Sequence, residues 1–376
     1  MKLIILGAGA SFDSIYEYYD NAEVAPFRPP LANELFSPRK YFREIILNYP
    51  GGRYFMSQLN GISDVEDFFQ KQWDIIEHNR ADDLMATFIN LNYCLSHLMM
   101  VISINHADIG LSNYDVLVQK AYEYSVTHDE EVMFVTFNYD ILLEYSLAKV
   151  YFGKTRQLNI NEYLNKSLKI IKPHGSCNWF KQIMGIGKLP PPYLIHEYLY
   201  DHRITIKKLN EMQAADFRTI ESPINFSTQE HMAAPRDFYF PQLLIPLKEK
   251  DDFILPPEHN QYLKDNLNKV NEILIVGWKG TENKFLELLN RNLSSKEINV
   301  TSVNACYEDI ENTLRPILPK ATIKHYQDSH LLLKTDNTLL SDNLVKSWHV
   351  QTPAGSFSSY ITGLLQNKHQ SIFSTK

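Results

Sequence analysis

The feature of this sequence that most constrains its fold is a series of short apolar runs, each bounded by turn residues. The runs are continuous rather than alternating, which is typical of parallel strands buried on both faces of a sheet. They are Leu3–Leu6, Val132–Phe137, Leu168–Ile171, Gln242–Ile245, Ile273–Val276, Ile298–Val303 and Ala321–His325. Helical patterns lie between several of them, at Ile141–Val150, Pro257–Val270 and Glu282–Arg291. This alternation predicts an α/β fold with a doubly wound parallel, Rossmann-like sheet.

A mainly helical stretch interrupts this rhythm between the first two strands. Its helical patterns are Leu31–Phe36, Ile62–His78, Ala81–Ile104 and Tyr114–Tyr124. We therefore expect a Rossmann-like domain built from residues 1–28 and 128–330, with residues 29–127 inserted as a helical second lobe. Within the larger domain, Lys181–Pro241 contains Pro190-Pro191-Pro192 and is expected to form loops and a lid-like excursion. Residues 331–376 form a C-terminal segment that could serve in assembly.

Charge and apolar patterning exclude several classes of protein. The 376 residues carry a formal net charge of −7, so the chain has no global attraction for nucleic acid or anionic membranes, and we predict direct binding to neither. The longest apolar stretch, Leu84–Ile104, contains Asn90, Asn92, Ser96 and His97, which predicts a buried helix rather than a membrane span. The N-terminal apolar run is too short for a signal peptide, and we expect a cytoplasmic protein.

The cysteines are few and scattered. Cys94, Cys177 and Cys306 form no CxxC pair, so the sequence predicts neither a thiolate zinc site nor a secreted disulfide framework, and we expect no metal. No GxxxxGK[ST] motif occurs in the sequence. Any ATPase that works with this chain must therefore be another polypeptide.

A glycine-rich turn, Gly7–Ser11, directly follows the first predicted strand. Small residues at such a place expose backbone N–H groups to a phosphate, which indicates a nucleotide-binding turn. The alternative is a tight strand–helix turn without a ligand. The dehydrogenase loop has the pattern GxGxxG, and Phe12 occupies its third glycine position here, which disfavours a hydride-transferring dehydrogenase.

Polar side chains follow the next two predicted strands. Asn138 and Asp140 come after the second strand, where alternate residues of an extended segment project to the same side. The carboxyl ends of parallel strands face the ligand crevice, although both side chains could instead cap the following helix. His174 follows the third strand between a proline and a glycine, and it suits proton transfer near neutral pH, although histidines more often serve structure. Cys177 nearby could form a Cys–His nucleophile only with a third, orienting group, and none is visible.

Two later strands end in the same manner. Gly277 and Thr281 belong to a turn after Ile273–Val276, and Asn304 ends the following strand. Each signal is weak alone, since a turn without a ligand explains it equally well. Together, five strand ends carry small or polar residues, and this combination suits a dinucleotide.

These motifs in combination resemble the sirtuin-like family. The segments GAGAS, TFNYD, KPHGS, VGW with GT, and SVN follow one another in the family's order over residues 1–304. The pairing of HGS with the downstream Trp179 looks most similar to the bacterial sirtuin-like NADases of anti-phage defence systems. The resemblance implies homo-oligomers, and control by a phage cue or by a partner such as a HerA-type ATPase.

The resemblance also implies NAD⁺ as substrate and a role for each motif. Asn138 would position water beside the nicotinamide ribose, Asp140 would hold the carboxamide, and His174 would act as base through the ribose hydroxyls. The NAD⁺-binding residues implied in this way are Gly7, Ala8, Gly9, Ser11, Ser176, Gly277, Thr281 and Asn304. Gly7, Ala8, Gly9 and Ser11 would contact the pyrophosphate and the nearby ribose. Gly277, Thr281 and Asn304 would line the adenosine end.

Two departures from the family narrow the expected reaction. Protein deacylases of this family carry a four-cysteine zinc module, which three cysteines cannot supply, and a GIPDFR-like segment where this chain reads FDSIYEYYD. We therefore expect water as the acceptor and predict an NAD⁺ hydrolase that releases nicotinamide and ADP-ribose, acting in defence by depleting NAD⁺. The alternatives are a non-catalytic module that senses NAD⁺ or ADP-ribose, and an NAD-dependent protein deacylase.

Overall fold

The computed structural model describes residues 1–15, 25–59, 61–79, 81–107, 111–187, 189, 194–221, 237–247, 253–304, 307–327, 331–335, 347–351, 355–366 and 372–373. The strands are β1 (Lys2–Leu6), β2 (Val132–Thr136), β3 (Leu168–Ile171), β4 (Gly175–Ile183), β5 (Gln213–Thr219), β6 (Phe238–Leu243), β7 (Glu272–Val276), β8 (Asn299–Val303), β9 (Thr322–His325), β10 (Leu331–Thr335) and β11 (Ser347–Gln351). The helices are α1 (Ala8–Phe12), α2 (Lys40–Ile46), α3 (Pro50–Gln58), α4 (Val65–Asn79), α5 (Asp82–Ala107), α6 (Asn113–His128), α7 (Leu142–Phe152), α8 (Ile195–Asp201), α9 (Ile206–Met212), α10 (Pro257–Asn266), α11 (Asn283–Leu293), α12 (Tyr307–Ile317) and α13 (Phe357–Leu365). The predicted features Pro190-Pro191-Pro192 and Cys306 lie outside the described residues.

The main sheet has six strands in the order β3-β2-β1-β7-β8-β9, and every neighbouring pair is parallel. The order runs outward from β1 in both directions, first to β2 and β3, and later from β7 to β9. The winding therefore reverses between β1 and β7, and such a switch point leaves a crevice at the carboxyl ends of the strands. The predicted doubly wound parallel sheet is confirmed.

The two faces of the sheet belong to two separate apolar cores. Ile4 and Leu6 of β1 pack on the face that α6, α7 and α13 cover, whereas Leu3 and Ile5 pack on the face that α10, α11 and α12 cover. All four side chains are fully buried. Complete burial stabilises the fold by roughly 1.5–3 kcal/mol for each such side chain. This burial on both faces explains why β1 is continuously apolar in the sequence.

A second lobe forms around the long helix α5. This helix packs against α3, α8, β4 and β6, and their side chains share one apolar core that includes Phe55, Phe88 and Phe240. β4, β5 and β6 form an antiparallel sheet in the order β5-β4-β6. α5 is long and apolar enough to cross a membrane, but 78% of its most apolar window is buried inside the protein. It serves here as the central helix of the lobe.

Several elements differ from the sequence-based expectation. Gln242–Ile245 was expected to be a parallel strand, and this prediction is wrong, because β6 ends at Leu243 and runs antiparallel to β4. The predicted excursion Lys181–Pro241 holds the end of β4, α8, α9, β5 and part of β6. The predicted helix Leu31–Phe36 is a single 3₁₀ turn, Ala32–Glu34. α6 lies within the predicted insertion, yet it packs on α7 and the main sheet.

Candidate functional site

A cavity of about 520 Å³ lies where β1, β2, β7 and β8 end. Its other walls come from residues 29–35, which precede α2, and from Met99 of α5. Ten of the eleven residues predicted from the sequence line this one cavity: Gly7, Ala8, Gly9, Ser11, Asn138, Asp140, His174, Gly277, Thr281 and Asn304. The eleventh, Ser176, is fully buried away from the cavity, and its hydroxyl donates to Oδ1 of Asn178 at 2.8 Å. The roles assigned to the ten residues remain predictions.

The glycine turns after β1 and β7 touch each other at the floor of the cavity. A Cβ on Gly7 would lie 2.4 Å from the carbonyl oxygen of Gly277, and a Cβ on Gly277 would lie 2.3 Å from the nitrogen of Ala10. Gly277 also has a φ of +60°, which favours glycine. The Gly9 N–H donates to the Gly277 carbonyl at 3.1 Å, so that amide is occupied within the protein. The glycines therefore serve close backbone packing first.

Asn138 is held by its amide nitrogen. Nδ2 donates to the Gly7 carbonyl at 2.9 Å and to Oγ of Ser11 at 2.9 Å, and it lies 3.3 Å from the hydroxyl of Tyr114. A carbonyl only accepts hydrogen bonds, so this contact fixes which end of the amide faces Gly7. Oδ1 is buried and has no hydrogen-bond partner among the described residues. A buried acceptor without a partner is costly, which indicates that a ligand or water completes it.

Asp140 belongs to a buried network of charges behind the cavity. Its Oδ1 accepts from the backbone nitrogen of Leu142 at 3.3 Å. Asp140 therefore caps the start of α7, which is one of the two roles that the sequence allowed. Nζ of Lys172 donates to the Asp140 carbonyl and, at 2.8 Å, to Oε1 of Glu144. Burial raises the pKa of both Asp140 and Glu144, and the Lys172 charge counteracts this shift. Two buried carboxyls thus share one buried cation.

His174 is placed by the turn that joins β3 to β4. The N–H of Gly175 donates to the Lys172 carbonyl at 2.9 Å, and Gly175 has a φ of +78°. The imidazole lies against Phe137, with ring centroids 4.9 Å apart, and its Nε2 is 4.0 Å from Oε1 of Glu282. A carboxylate at this distance can stabilise a protonated imidazole. The ring is therefore oriented by the turn and by its contact with Phe137.

The Cys–His alternative finds no support in this geometry. Cys177 is fully buried and does not line the cavity. Burial raises the pKa of its thiol, which keeps the sulfur protonated and a poor nucleophile. Across the described ranges, no cluster of three or more His, Cys, Asp or Glu side chains is placed to hold a metal ion.

Sequence reasoning missed several residues that line the cavity. Nε1 of Trp278 donates to Glu282, and the Trp278 ring stacks on Phe137 with centroids 5.6 Å apart and planes 9° apart. Tyr139 also lines the cavity, and burial, together with the charges of Glu66 and Glu282, raises the pKa of its hydroxyl. Trp278 and Tyr139 each lie next to a predicted residue at the end of a strand. The sequence pattern that predicted those neighbours could therefore have identified them as well. Glu282 and Glu66 carry no comparable local signal.

The lining carries more negative than positive charge. The acidic side chains are Glu34, Glu66, Asp140, Glu282 and Asp309, and Lys279 is the only lysine or arginine among the described lining residues. Glu34 is paired with Arg39 at 2.7 Å. Carboxylates in the lining of a cavity favour a positively charged group inside it. This arrangement suits chemistry in which a cation is bound or develops.

No family model and no curated protein matches this chain. Solved structures do match over most of their length. One is described as a complex of a Sir2 homologue with NAD; it is 10% identical, with a TM-score of 0.37, over 86% of this chain and 83% of that one. A second, on sirtuin substrate affinity, is 15% identical with a TM-score of 0.35 over 86% and 87%. A third, a Sir2–p53 peptide–NAD⁺ complex, is 12% identical with a TM-score of 0.34 over 86% of each chain.

Proposed function

We propose that this chain hydrolyses NAD⁺ at the bond between nicotinamide and ribose, which releases nicotinamide and ADP-ribose. The observation that carries the proposal is the amide of Asn138 at the cavity wall. Its nitrogen is committed to Gly7 and Ser11, and its buried oxygen has no partner among the described residues. Such an oxygen is suited to accept a hydrogen bond from a water molecule or a ribose hydroxyl. His174 lines the same cavity and is suited to proton transfer near neutral pH.

The reaction breaks the bond between the ribose C1′ atom and the nicotinamide nitrogen. The electron pair leaves with nicotinamide, which becomes neutral, and positive charge moves to the ribose. Water adds to C1′ and its proton is released, so the products are nicotinamide, ADP-ribose and one proton. The carboxyl groups of Glu66 and Glu282 in the lining support this step because negative charge stabilises a developing cation in a partly dry site.

A second candidate is NAD-dependent protein deacylation. The observation that favours it is the apolar part of the lining, where Leu35, Met99 and Pro246 offer contacts for an alkyl chain. The count of three cysteines argues against it, because the zinc module of the deacylases that the sequence resembles needs four. We therefore favour NAD⁺ hydrolysis over deacylation.

We further propose that the activity belongs to a cytoplasmic anti-phage defence system that depletes NAD⁺. This part of the proposal rests on the sequence motifs alone. It includes a homo-oligomer and control by a partner such as a HerA-type ATPase, since the chain itself has no GxxxxGK[ST] motif. Turnover that appears only after the partner is added would support it, and equal turnover with and without the partner would contradict it.

One experiment separates these functions. Purified protein is incubated with NAD⁺, with and without an acetyl-lysine peptide, and the products are followed by chromatography and mass spectrometry. Hydrolysis predicts nicotinamide and ADP-ribose at the same rate in both mixtures. Deacylation predicts products only with the peptide, together with an acylated ADP-ribose. Tight NAD⁺ binding by calorimetry with no product in any assembly would instead favour a sensing module.

A further inference from the structure

A tyrosine outside the predicted site contacts both of the turns that form it. Tyr114 is the second residue of α6 and is almost fully buried. Its hydroxyl lies 2.9 Å from Oγ of Ser11 in the glycine-rich turn and 3.3 Å from Nδ2 of Asn138. These two turns are separated by more than a hundred residues of sequence. Tyr114 is thus a single side chain that contacts both turns.

The hydrogen bonds around Tyr114 form a consistent set. Nδ2 of Asn138 donates to the Gly7 carbonyl and to Oγ of Ser11, and it lies 3.3 Å from the Tyr114 hydroxyl. Burial raises the pKa of Tyr114 well above its usual value, so the hydroxyl keeps its proton. The hydroxyls of Tyr114 and Ser11 share one hydrogen bond, in which either oxygen can be the donor. Because the Gly7 carbonyl can only accept, the amide of Asn138 has one orientation, with Ser11 and Tyr114 beside its nitrogen.

The C-terminal helix α13 contacts both Tyr114 and the residue that follows α1. The backbone N–H and the hydroxyl of Ser358 each donate to the Asp13 carboxylate at 2.8 Å, directly after α1. Nδ2 of Asn113, the neighbour of Tyr114, donates to the Asp13 carbonyl at 2.6 Å and to Oγ of Ser358 at 2.9 Å. The ring of Phe357 lies against that of Tyr114, with centroids 5.6 Å apart.

These contacts link parts of the chain that are far apart in sequence. Asp13 and Ser358 are separated by 345 residues, and Phe357–Leu364 of α13 are buried. A helix that only filled space would need apolar contacts alone. Here, a buried serine bonds to the residue that follows α1 and to the first residue of α6, and these two helices carry Ser11 and Tyr114.

We propose that Tyr114 is a positioning residue for Asn138. We also propose that α13 fixes the position of Tyr114 relative to the glycine-rich turn, through Ser358 and Asp13. Tyr114 orients the amide whose oxygen handles the water or ribose hydroxyl, so this inference rests on the proposed NAD⁺ hydrolysis. α13 is then a required part of the site and not a separate assembly segment. The predicted division at residue 331 would cut through the machinery that supports the site.

The first test removes a single hydroxyl. Tyr114→Phe keeps the ring against Phe357 and is expected to lower kcat by about 10- to 100-fold, since small misplacement of a catalytic group has this effect. KM for NAD⁺ and the thermal midpoint should stay near the wild-type values. Tyr93→Phe is the matched control, because Tyr93 is equally buried and its hydroxyl donates to the Tyr239 carbonyl, away from the cavity. Unchanged kcat in Tyr114→Phe would overturn the positioning role.

The second test measures, without catalysis, whether α13 holds the glycine-rich turn in place. Ser358→Ala should speed amide hydrogen exchange in Gly7–Ser11 by about tenfold or more, whereas Thr362→Ala should not, because the Thr362 hydroxyl donates to the Ser358 carbonyl within α13. If wild-type protein cleaves NAD⁺ and Ser358→Ala exchanges like wild type, the α13 inference is wrong while the proposed function stands. If wild type shows no cleavage in any assembly, the proposed function fails, and the exchange result still decides whether α13 holds the turn.

Discussion

Replacing Gly277 with alanine tests whether the two glycine turns must touch for the site to exist. Gly277 has a φ of +60°, and a Cβ at this position would lie 2.3 Å from the Ala10 nitrogen and 2.5 Å from the Gly9 carbonyl carbon. Ordinary contact begins near 3.4 Å, so the two backbones would have to separate by about 1 Å. That shift strains the bond from the Gly9 N–H to the Gly277 carbonyl and the bond from the Gly277 N–H to Val303.

The cost can be divided into two parts. Alanine in the left-handed region loses about 1–2 kcal/mol. Two strained backbone hydrogen bonds add about 1 kcal/mol each, so Gly277→Ala should lose about 3–4 kcal/mol of the free energy of unfolding. Gly153→Ala is the matched control, because Gly153 has a φ of +66° and open space around it, and it should lose only about 1–2 kcal/mol.

Urea unfolding at 25 °C, followed by circular dichroism, measures both variants. The affinity for ADP-ribose, measured by calorimetry on the folded protein, should fall in Gly277→Ala and stay unchanged in Gly153→Ala. Equal losses of stability in the two variants would refute the reasoning, because they would show that the contact between the turns contributes nothing beyond the backbone conformation of Gly277.

Two further predictions concern buried charge. Lys172→Met leaves Glu144 buried without its cation and should destabilise the protein by about 3–5 kcal/mol at neutral pH. Burial already raises the pKa of Glu144, so this loss should shrink from pH 8 to pH 5 as the carboxyl is protonated; a pH-independent loss in urea unfolding would contradict it. Burial also lowers the pKa of His196 to about 4, so the unfolded chain binds more protons between about pH 6.5 and that value. The free energy of unfolding should therefore fall as the pH drops through this window, and His196→Phe should reduce the slope; equal slopes in both proteins would count against it.

Local sequence signals predicted the main sheet well, because its central strands β1, β2 and β7 are short, buried apolar segments bounded by turns. They could not predict which strands pair. Gln242–Ile245 has the same apolar character as the parallel strands, but β6 pairs with β4, which begins at the Gly175 turn and runs in the opposite direction. β5 was not recognised, since Gln213–Thr219 is half exposed and polar. Pairing depends on partners tens of residues away, and apolar character alone does not encode it.

For the site, too, local sequence signals could be used and long-range contacts could not. Residues at strand ends could be predicted because parallel strands bring their carboxyl ends to one edge of the sheet. Ser176 was assigned to the site because it belongs to the KPHGS motif, but it lies on β4 and its hydroxyl bonds to Asn178. Tyr114 and Ser358 could not be found in this way. Their contacts join residues 103 and 345 positions apart, and only the fold brings those residues together.

We propose that Asn138 and His174, which line the same cavity, cleave NAD⁺. The most direct measurement is the rate of nicotinamide release, with the partner present if one is needed, for wild type, Asn138→Ala and His174→Ala. Asn266→Ala and His259→Ala serve as controls, because these buried side chains lie outside the cavity lining. The account predicts that both cavity variants lose turnover by about 100-fold or more while both controls retain it. Wild-type turnover in Asn138→Ala and His174→Ala would contradict it.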